Sequence, residues 1–226
     1  MVAGDHDCLI VGAGPAGLSA ALYLARYKRR TIVLHDGTAR ALRIPKTHNA
    51  PGFNEGVSGV ELIDRMTCHA ELYGAALVEA RIASAQRGAD GVFTLTAQDR
   101  RTWRGRTVIL ATGIWLNQID LPKDVHEAAI RAGVLRYCPV CDAFEHSDAA
   151  VAVIGCDSQG ASEALFLRRY TDKLTLIPRN YAELDQAEHA KLVEAGIGVI
   201  ESPAESYSPA SDGMTVHFAD GTDQRF

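Results

Sequence analysis

The stretch "DCLIVGAGPAGLSAALYLARYKRRTIVLHDG", residues 7–37, decides the fold of this chain. A short apolar run at 8–11 leads into glycines, and an Ala- and Leu-rich helical pattern follows from about Pro15 to Arg26. A second β-like run, Thr31 to Leu34, closes the unit. Strand, turn, helix and strand within about 30 residues is the βαβ pattern of a parallel sheet. Gly12-Ala13-Gly14-Pro15-Ala16-Gly17 fits G-x-G-x-x-G. The first glycine allows the tight turn, the second lets the backbone approach a pyrophosphate, and the third lets helix and strand pack closely. The N–H groups and positive end of the helix then face the phosphates. A glycine-rich turn without a ligand is the plain alternative, and the flanking strands and helix weigh against it. An acid at the end of the second strand would bind a ribose hydroxyl. Asp36 is the candidate, with a solvated turn aspartate as the other reading.

The pattern returns at residues 149–180, "AAVAVIGCDSQGASEALFLRRYTDKLTLIPRN". Its loop keeps Gly155 and Gly160, with Ser158 between them, but carries Asp157 where the middle glycine belongs. An anionic side chain there crowds and repels a pyrophosphate, so the fold signal survives while dinucleotide affinity falls. Between the units, residues 41–57 read as loop and 58–74 as an amphipathic helix. "ALVEARIASAQ", "GVFTLTAQ" and "RTVILATG" read as strands of an antiparallel meander, with Gly91 and Gly105 as turn residues. A polar linker with Pro122 and a short helical stretch follow, and the chain ends in a strand, an Asp-Gly turn and the start of another strand. The expected architecture is α/β, with two Rossmann-like, three-layer nucleotide-binding domains at 1–115 and 116–226.

Composition narrows the function classes. With 23 Lys and Arg against 28 Asp and Glu, the net charge of −5 and the absence of a basic run longer than Lys28-Arg29-Arg30 argue against a nucleic-acid partner. No apolar run reaches the roughly 18–20 residues of a membrane span. Acidic residues precede the first apolar run, where a signal peptide would have basic ones. Five cysteines in 226 residues are too sparse for a disulfide scaffold, which gives a cytoplasmic expectation. Cys8 and Cys68 are expected to be packed, His69 and His126 to lie at the surface, and Trp103 and Trp115 to serve ordinary packing.

"YCPVCDAFEHS", residues 137–147, carries the chemistry. Cys138, Cys141, His146 and Cys156 offer zinc-ligand types. Cys156, however, belongs to the second glycine loop, and there is no second CxxC. The expectation is therefore no metal. A redox dithiol has a direct mechanism: Cys138 and Cys141 close a small ring, Pro139 stiffens it, and Asp142 can carry the proton that thiol–disulfide exchange must move.

Together, the GxGPAG loop, "HNAPGF" at 48–53, "VILATG" at 108–113, CxxCD at 138–142 and a second glycine loop within twenty residues resemble the low-molecular-weight thioredoxin reductase family of flavoproteins. The resemblance implies that FAD is bound by Gly12 to Gly17, the segment near Asp36, His48 and Asn49, and Ala111-Thr112-Gly113. It implies that residues 116–226 form an inserted domain binding NADH or NADPH through Gly155, Ser158, Gly160 and Arg179. Electrons would pass from NAD(P)H through FAD to the Cys138–Cys141 disulfide, and on to a thioredoxin-like protein or a small disulfide substrate. Cys141 would face the flavin, Cys138 would attack the partner's disulfide, and Asp142 would handle the proton. Family members are typically homodimers whose two domains rotate.

Three departures qualify the transfer. Where NADPH-using members carry His-Arg-Arg to clamp the 2′-phosphate, this chain reads Ile177-Pro178-Arg179-Asn180, so NADPH preference is unsupported and NADH, another donor or none stay open. "CDAFEHS" resembles relatives that oxidise a small dithiol with oxygen as acceptor, the second reading. The family also returns to its FAD domain after the inserted one, and nothing of that segment precedes Phe226. The expectation is an FAD domain without its C-terminal part, with weak or incomplete FAD binding. A third reading is a degenerate Rossmann protein that binds a nucleotide or partner without turnover.

Overall fold

β1 (His6–Val11) is apolar on both faces, and that places it at the centre of a sheet. In the computed structural model, which describes residues 6–155, 158–177 and 184–226, the chain divides into two compact units, Met1–Trp115 and Leu116–Phe226.

In the first unit β1 pairs in parallel with β2 (Thr31–His35) on one side and β6 (Thr102–Leu110) on the other. The six strands run in the order β3-β2-β1-β6-β5-β4, with β3 at Ala76–Glu79, β4 at Ile82–Arg87 and β5 at Phe93–Ala97. Alternation splits the core. Cys8, Ile10 and Val33 pack against Ala21 and Ala25 of α1 (Pro15–Arg26) and Ala70 of α2 (Gly59–Leu72), whereas Leu9, Ile32 and Leu34 cluster with Leu95, Ile82 and Trp103. Pro15 opens α1, where its missing N–H costs nothing. Ser58 caps α2 by accepting the Glu61 N–H at 3.1 Å.

The expected meander is corrected in two respects. "ALVEARIASAQ" forms two strands that lie at opposite edges of the sheet: β3 joins the parallel half beside β2, while β4 pairs antiparallel with β5. Gly105 is not a turn residue. It sits inside β6, where the strand leaves its antiparallel pairing with Phe93 and enters its parallel pairing with His6. A β-carbon there would lie 2.6 Å from Leu9 Cγ, so space rather than a turn calls for glycine. Gly91, at φ +77°, does turn the chain between β4 and β5.

In the second unit β7 (Val151–Ile154), β8 (Leu174–Ile177) and β9 (Gly198–Val199) form a parallel sheet. One face packs on α5 (Ser158–Leu167) and α6 (Gln186–Glu194) through Leu174, Leu176, Ala161, Ala164 and Leu192. On the other, Ile177 packs with Met214, Val216 and Phe218 of β11 (Gly213–Phe218), and with Ala129 and Ile130 of α3 (Lys123–Ala132). β11 is the middle of an antiparallel sheet between β10 (Ala204–Ala210) and β12 (Asp223–Arg225). The second unit is thus layered as helices, parallel sheet and antiparallel sheet.

Three single residues depart from expectation. His126 is buried, because its Nε2 has a partner in the Tyr137 hydroxyl at 2.8 Å. Cys68 is exposed on α2, and Trp115 is 95% exposed at the end of the first unit. Among the described residues, no helix is long and apolar enough to cross a membrane.

Candidate active site

The turn from β1 into α1 is held by contacts that leave no room for side chains at two of its glycines. Gly12 adopts φ +109°, a conformation disfavoured for other residues, and a β-carbon on it would fall 2.2 Å from the Ala111 carbonyl oxygen. At Gly17 a β-carbon would meet the Gly12 carbonyl oxygen at 1.9 Å. Ala111 is laid over this turn because its N–H continues the β1–β6 ladder, donating to Val11 O at 2.8 Å. Gly14 is different. Its backbone is extended (φ −79°, ψ 177°), and no atom of the described residues lies within 4 Å of where its β-carbon would be. Protein packing among the described residues therefore does not call for glycine at Gly14, and the bare backbone there leaves an anion free to approach from outside. That open cradle, at the N-terminus of a twelve-residue helix, fits a pyrophosphate.

The other first-unit residues expected at a cofactor lie on loops. Asp36 follows β2 and accepts from the Thr38 hydroxyl (2.6 Å) and Thr38 N–H (3.1 Å), which hold its carboxyl below the usual carboxylate range. A two-bond bridge between Thr47 and Val57 closes the loop carrying His48 and Asn49. Asn49 Oδ1 accepts from the Thr47 hydroxyl at 2.7 Å, and the His48 ring lies against Gly56. His48 also lines an open hollow with Ala50, Pro51, Gly52, Phe53 and Asn54. Thr112 and Gly113 follow Ala111 beyond the end of β6, with Gly113 at φ +74°.

The second unit repeats the first turn with looser contacts. A β-carbon on Gly160 would lie 2.9 Å from Gly155 C, and one on Gly155 would lie 3.5 Å from Gly160 Cα. Ser158 opens α5. Cys156, Asp157 and Arg179 lie outside the described residues.

Cys138 and Cys141 are joined as a disulfide, with Cα atoms 5.3 Å apart. Cys138 caps one helical turn, α4 (Pro139–Asp142), and Cys141 lies within it, its N–H donating to Cys138 O at 3.1 Å. Both cysteines are half-buried, whereas Val140 and Phe144 beside them are exposed. Asp142, the expected proton carrier, pairs with Arg136 Nε at 3.7 Å. A pair that can open to two thiols, next to a carboxylate, can exchange electrons with another disulfide.

Comparison with known proteins gives the same direction. A family model described as pyridine nucleotide-disulphide oxidoreductase matches residues 6–223. The chain belongs to that family. It is 32% identical over 177 residues to thioredoxin reductase of Streptomyces coelicolor, covering 77% of this chain and 54% of that protein. It is 36% identical over 176 residues to the Aquifex aeolicus enzyme of the same name, covering 76% and 53%. The crystal structure of thioredoxin reductase from Streptococcus pyogenes shares the fold, with a TM-score of 0.85 over 99% of this chain and 74% of that one, at 23% identity. The chain spans about half the length of the curated relatives it matches.

Within this disulphide oxidoreductase chain, sequence reasoning missed the surroundings of the cysteines. Arg136 and Tyr137, the two residues before Cys138, both bond back to α3. The available signal was an arginine and a tyrosine directly before a CxxC, both able to reach a preceding helix.

Proposed function

We propose that this chain is the flavin- and dithiol-bearing part of a disulfide oxidoreductase. It would pass electrons between a nicotinamide donor and a thioredoxin-like protein or small disulfide substrate. The observation that carries this is the closed Cys138–Cys141 pair in a chain that also holds a glycine cradle with open space at Gly14. In this reading Met1–Trp115 is the FAD unit and Leu116–Phe226 the nicotinamide-type unit. FAD would be held by Gly12 to Gly17, Asp36, His48, Asn49 and Ala111-Thr112-Gly113, and it would supply reversible two-electron chemistry. The remaining steps belong to the chain's own residues.

Two electrons delivered to the disulfide break the S–S bond and leave Cys138 and Cys141 as thiol and thiolate. Cys138 attacks the partner's disulfide, forming a mixed disulfide and releasing one partner thiolate. Cys141 then attacks Cys138 Sγ, restores the internal disulfide and frees the second partner thiol. Asp142 gives and takes the proton that these steps move. Gly160 keeps the close helix-to-turn approach that a dinucleotide site uses, and Gly155 and Ser158 would line the same turn. Neither NADH nor NADPH is selected by the described residues. A homodimer in the cytoplasm is part of the same proposal and rests on the family alone.

Anaerobic titration of the full-length protein is the test. Bleaching of the flavin band by NADH or NADPH is expected, and in Cys141→Ser the flavin should still bleach while disulfide turnover falls about a thousandfold or more, as for an essential covalent residue. Bleaching by dithiols alone, with oxygen uptake, would instead establish a dithiol oxidase. A colourless full-length protein would leave the nucleotide-binding scaffold without turnover.

A further inference from the structure

The residue just ahead of the CxxC motif on the N-terminal side of Tyr137 does two things at once. Arg136 turns its guanidinium onto the C-terminal end of α3: Nη1 donates to Ile130 O at 2.6 Å and to Leu135 O at 3.2 Å. The carbonyls at a helix C-terminus carry partial negative charge, so a cation is well placed there. Gly133, at φ +86°, leaves the space, since a β-carbon on it would come within 3.2 Å of Arg136 Nη2. The same guanidinium then faces Asp142, with Nε 3.7 Å from Oδ2, and both side chains are mostly shielded (28% and 20% exposed). Tyr137 strengthens the attachment. Its hydroxyl meets the buried His126 Nε2 at 2.8 Å and accepts the Ile119 N–H at 3.3 Å. Two consecutive residues thus bind the start of the cysteine turn to α3.

We propose that Arg136 is a positioning residue for the dithiol: anchored on the end of α3, it holds in place the carboxylate of Asp142, the residue after Cys141. This rests on the redox reading of the cysteine pair, but its consequence is measurable without flavin or turnover. In the reduced chain, a carboxylate held on Arg136 is kept from turning toward a neighbouring thiolate, whereas one released from it can do so and raise the thiol pKa by like-charge repulsion. Arg136 therefore acts on the thiols through Asp142. Glu145 and His146 of the following turn, Glu163 of α5 and Glu127, Arg131 and His126 of α3 are the other titratable or charged groups on the elements around α4. They are the same in every variant, so their effect cancels in the comparison.

The test is the pH profile of iodoacetamide alkylation at Cys138 and Cys141 in the full-length protein, reduced with dithiothreitol and then freed of it. Arg136→Gln should move the midpoint up by roughly half a pH unit, and Arg136→Lys, which keeps the charge, by much less. In an Asp142→Asn background only the arginine's own charge is lost, so Arg136→Gln should give a clearly smaller shift. An equal shift in both backgrounds would overturn the proposal, because the arginine would then act directly on the thiols or through the fold. So would an unmoved profile in Arg136→Gln with a wild-type melting curve. Should Arg136→Gln fail to fold, the Lys variant decides. A Lys profile shifted equally with and without Asp142 would sink the idea, and one shifted only when Asp142 is present would support it. Because alkylation reads the thiols directly, a protein that lacks flavin turnover can still pass or fail.

Discussion

The two glycine turns of this chain share a sequence pattern but not the same constraints. In the first, side chains are barred at Gly12 and Gly17 by backbone carbonyls at 2.2 and 1.9 Å, while no described residue fills the space above Gly14. In the second, the matching contacts are 3.5 Å at Gly155 and 2.9 Å at Gly160. The first turn has a third layer pressed on it, the Ala111 backbone at the end of β6, which runs parallel to β1. For the second turn, the contacts that described residues make closest to its glycines come from the turn itself. A glycine can thus be required by the protein, by a ligand or only weakly by either, and the pattern G-x-G-x-x-G does not say which.

Substitution separates the three cases. Gly17→Val should have the largest effect, because α1 must move off the Gly12 carbonyl. Overpacking of this kind costs about 3 kcal/mol or more, read as a large fall in thermal stability of the first unit or loss of soluble protein. Gly155→Ala should cost about 0.5 kcal/mol or less, since among the described residues its β-carbon would make only an ordinary contact at 3.5 Å. Equal losses at the two positions would break the comparison. Gly14→Asp sharpens it from the other side, by giving the first turn the residue type that the second carries at Asp157. Melting temperature should hold, because the position is open, while flavin occupancy of the full-length protein should drop about tenfold or more from charge repulsion and blocked approach. A stable variant with normal occupancy would mean that Gly14 is not where a pyrophosphate sits.

How much of this was legible in the sequence follows the same division. Local patterns read well: α1 spans Pro15–Arg26 as its Ala and Leu spacing indicates, α2 starts after Ser58, and the Asp220-Gly221 turn joins β11 to β12. These depend on neighbours in sequence. What went unread depends on partners far along the chain. "ALVEARIASAQ" gives no local sign that its halves pair at opposite edges of one sheet, because the choice is made by Ile32 on β2 and Leu95 on β5. Gly105 looks like a turn glycine until Leu9, 96 positions earlier, is seen to fill its side-chain space (105 − 9 = 96). The buried His126 was misplaced for a similar reason: a helical histidine reads as surface unless a buried hydroxyl, here Tyr137, meets it. At the site, residue types and spacing revealed the cysteine pair, but the anchoring of that pair on α3 is a tertiary fact.

The smallest expected effect concerns the end of the second strand, where the two units also part. β2 runs into His35 and Asp36, whereas β8 ends at Ile177 and the sequence continues Pro178-Arg179, so an arginine stands in the place of Asp36 and no carboxylate is there to accept from a ribose hydroxyl. Asp36 is kept ready to accept by Thr38, whose hydroxyl and N–H stabilise the ionised carboxylate. A carboxyl whose pKa is lower folded than unfolded adds stability above its unfolded pKa, and that stability is lost as pH falls through the folded value. Thr38→Val removes the hydroxyl bond, the main cause of the lowering, and leaves the N–H bond. The variant should therefore be slightly less stable than wild type at pH 7, and the gap should close as pH drops below about 4. Paired urea or thermal melts from pH 7 to acid measure it. Because Asp36 is exposed, the gap at neutral pH should stay within a few tenths of a kcal/mol. A gap that instead widened toward acid would reverse the sign and show that Thr38 supports the turn through packing rather than through the charge of Asp36.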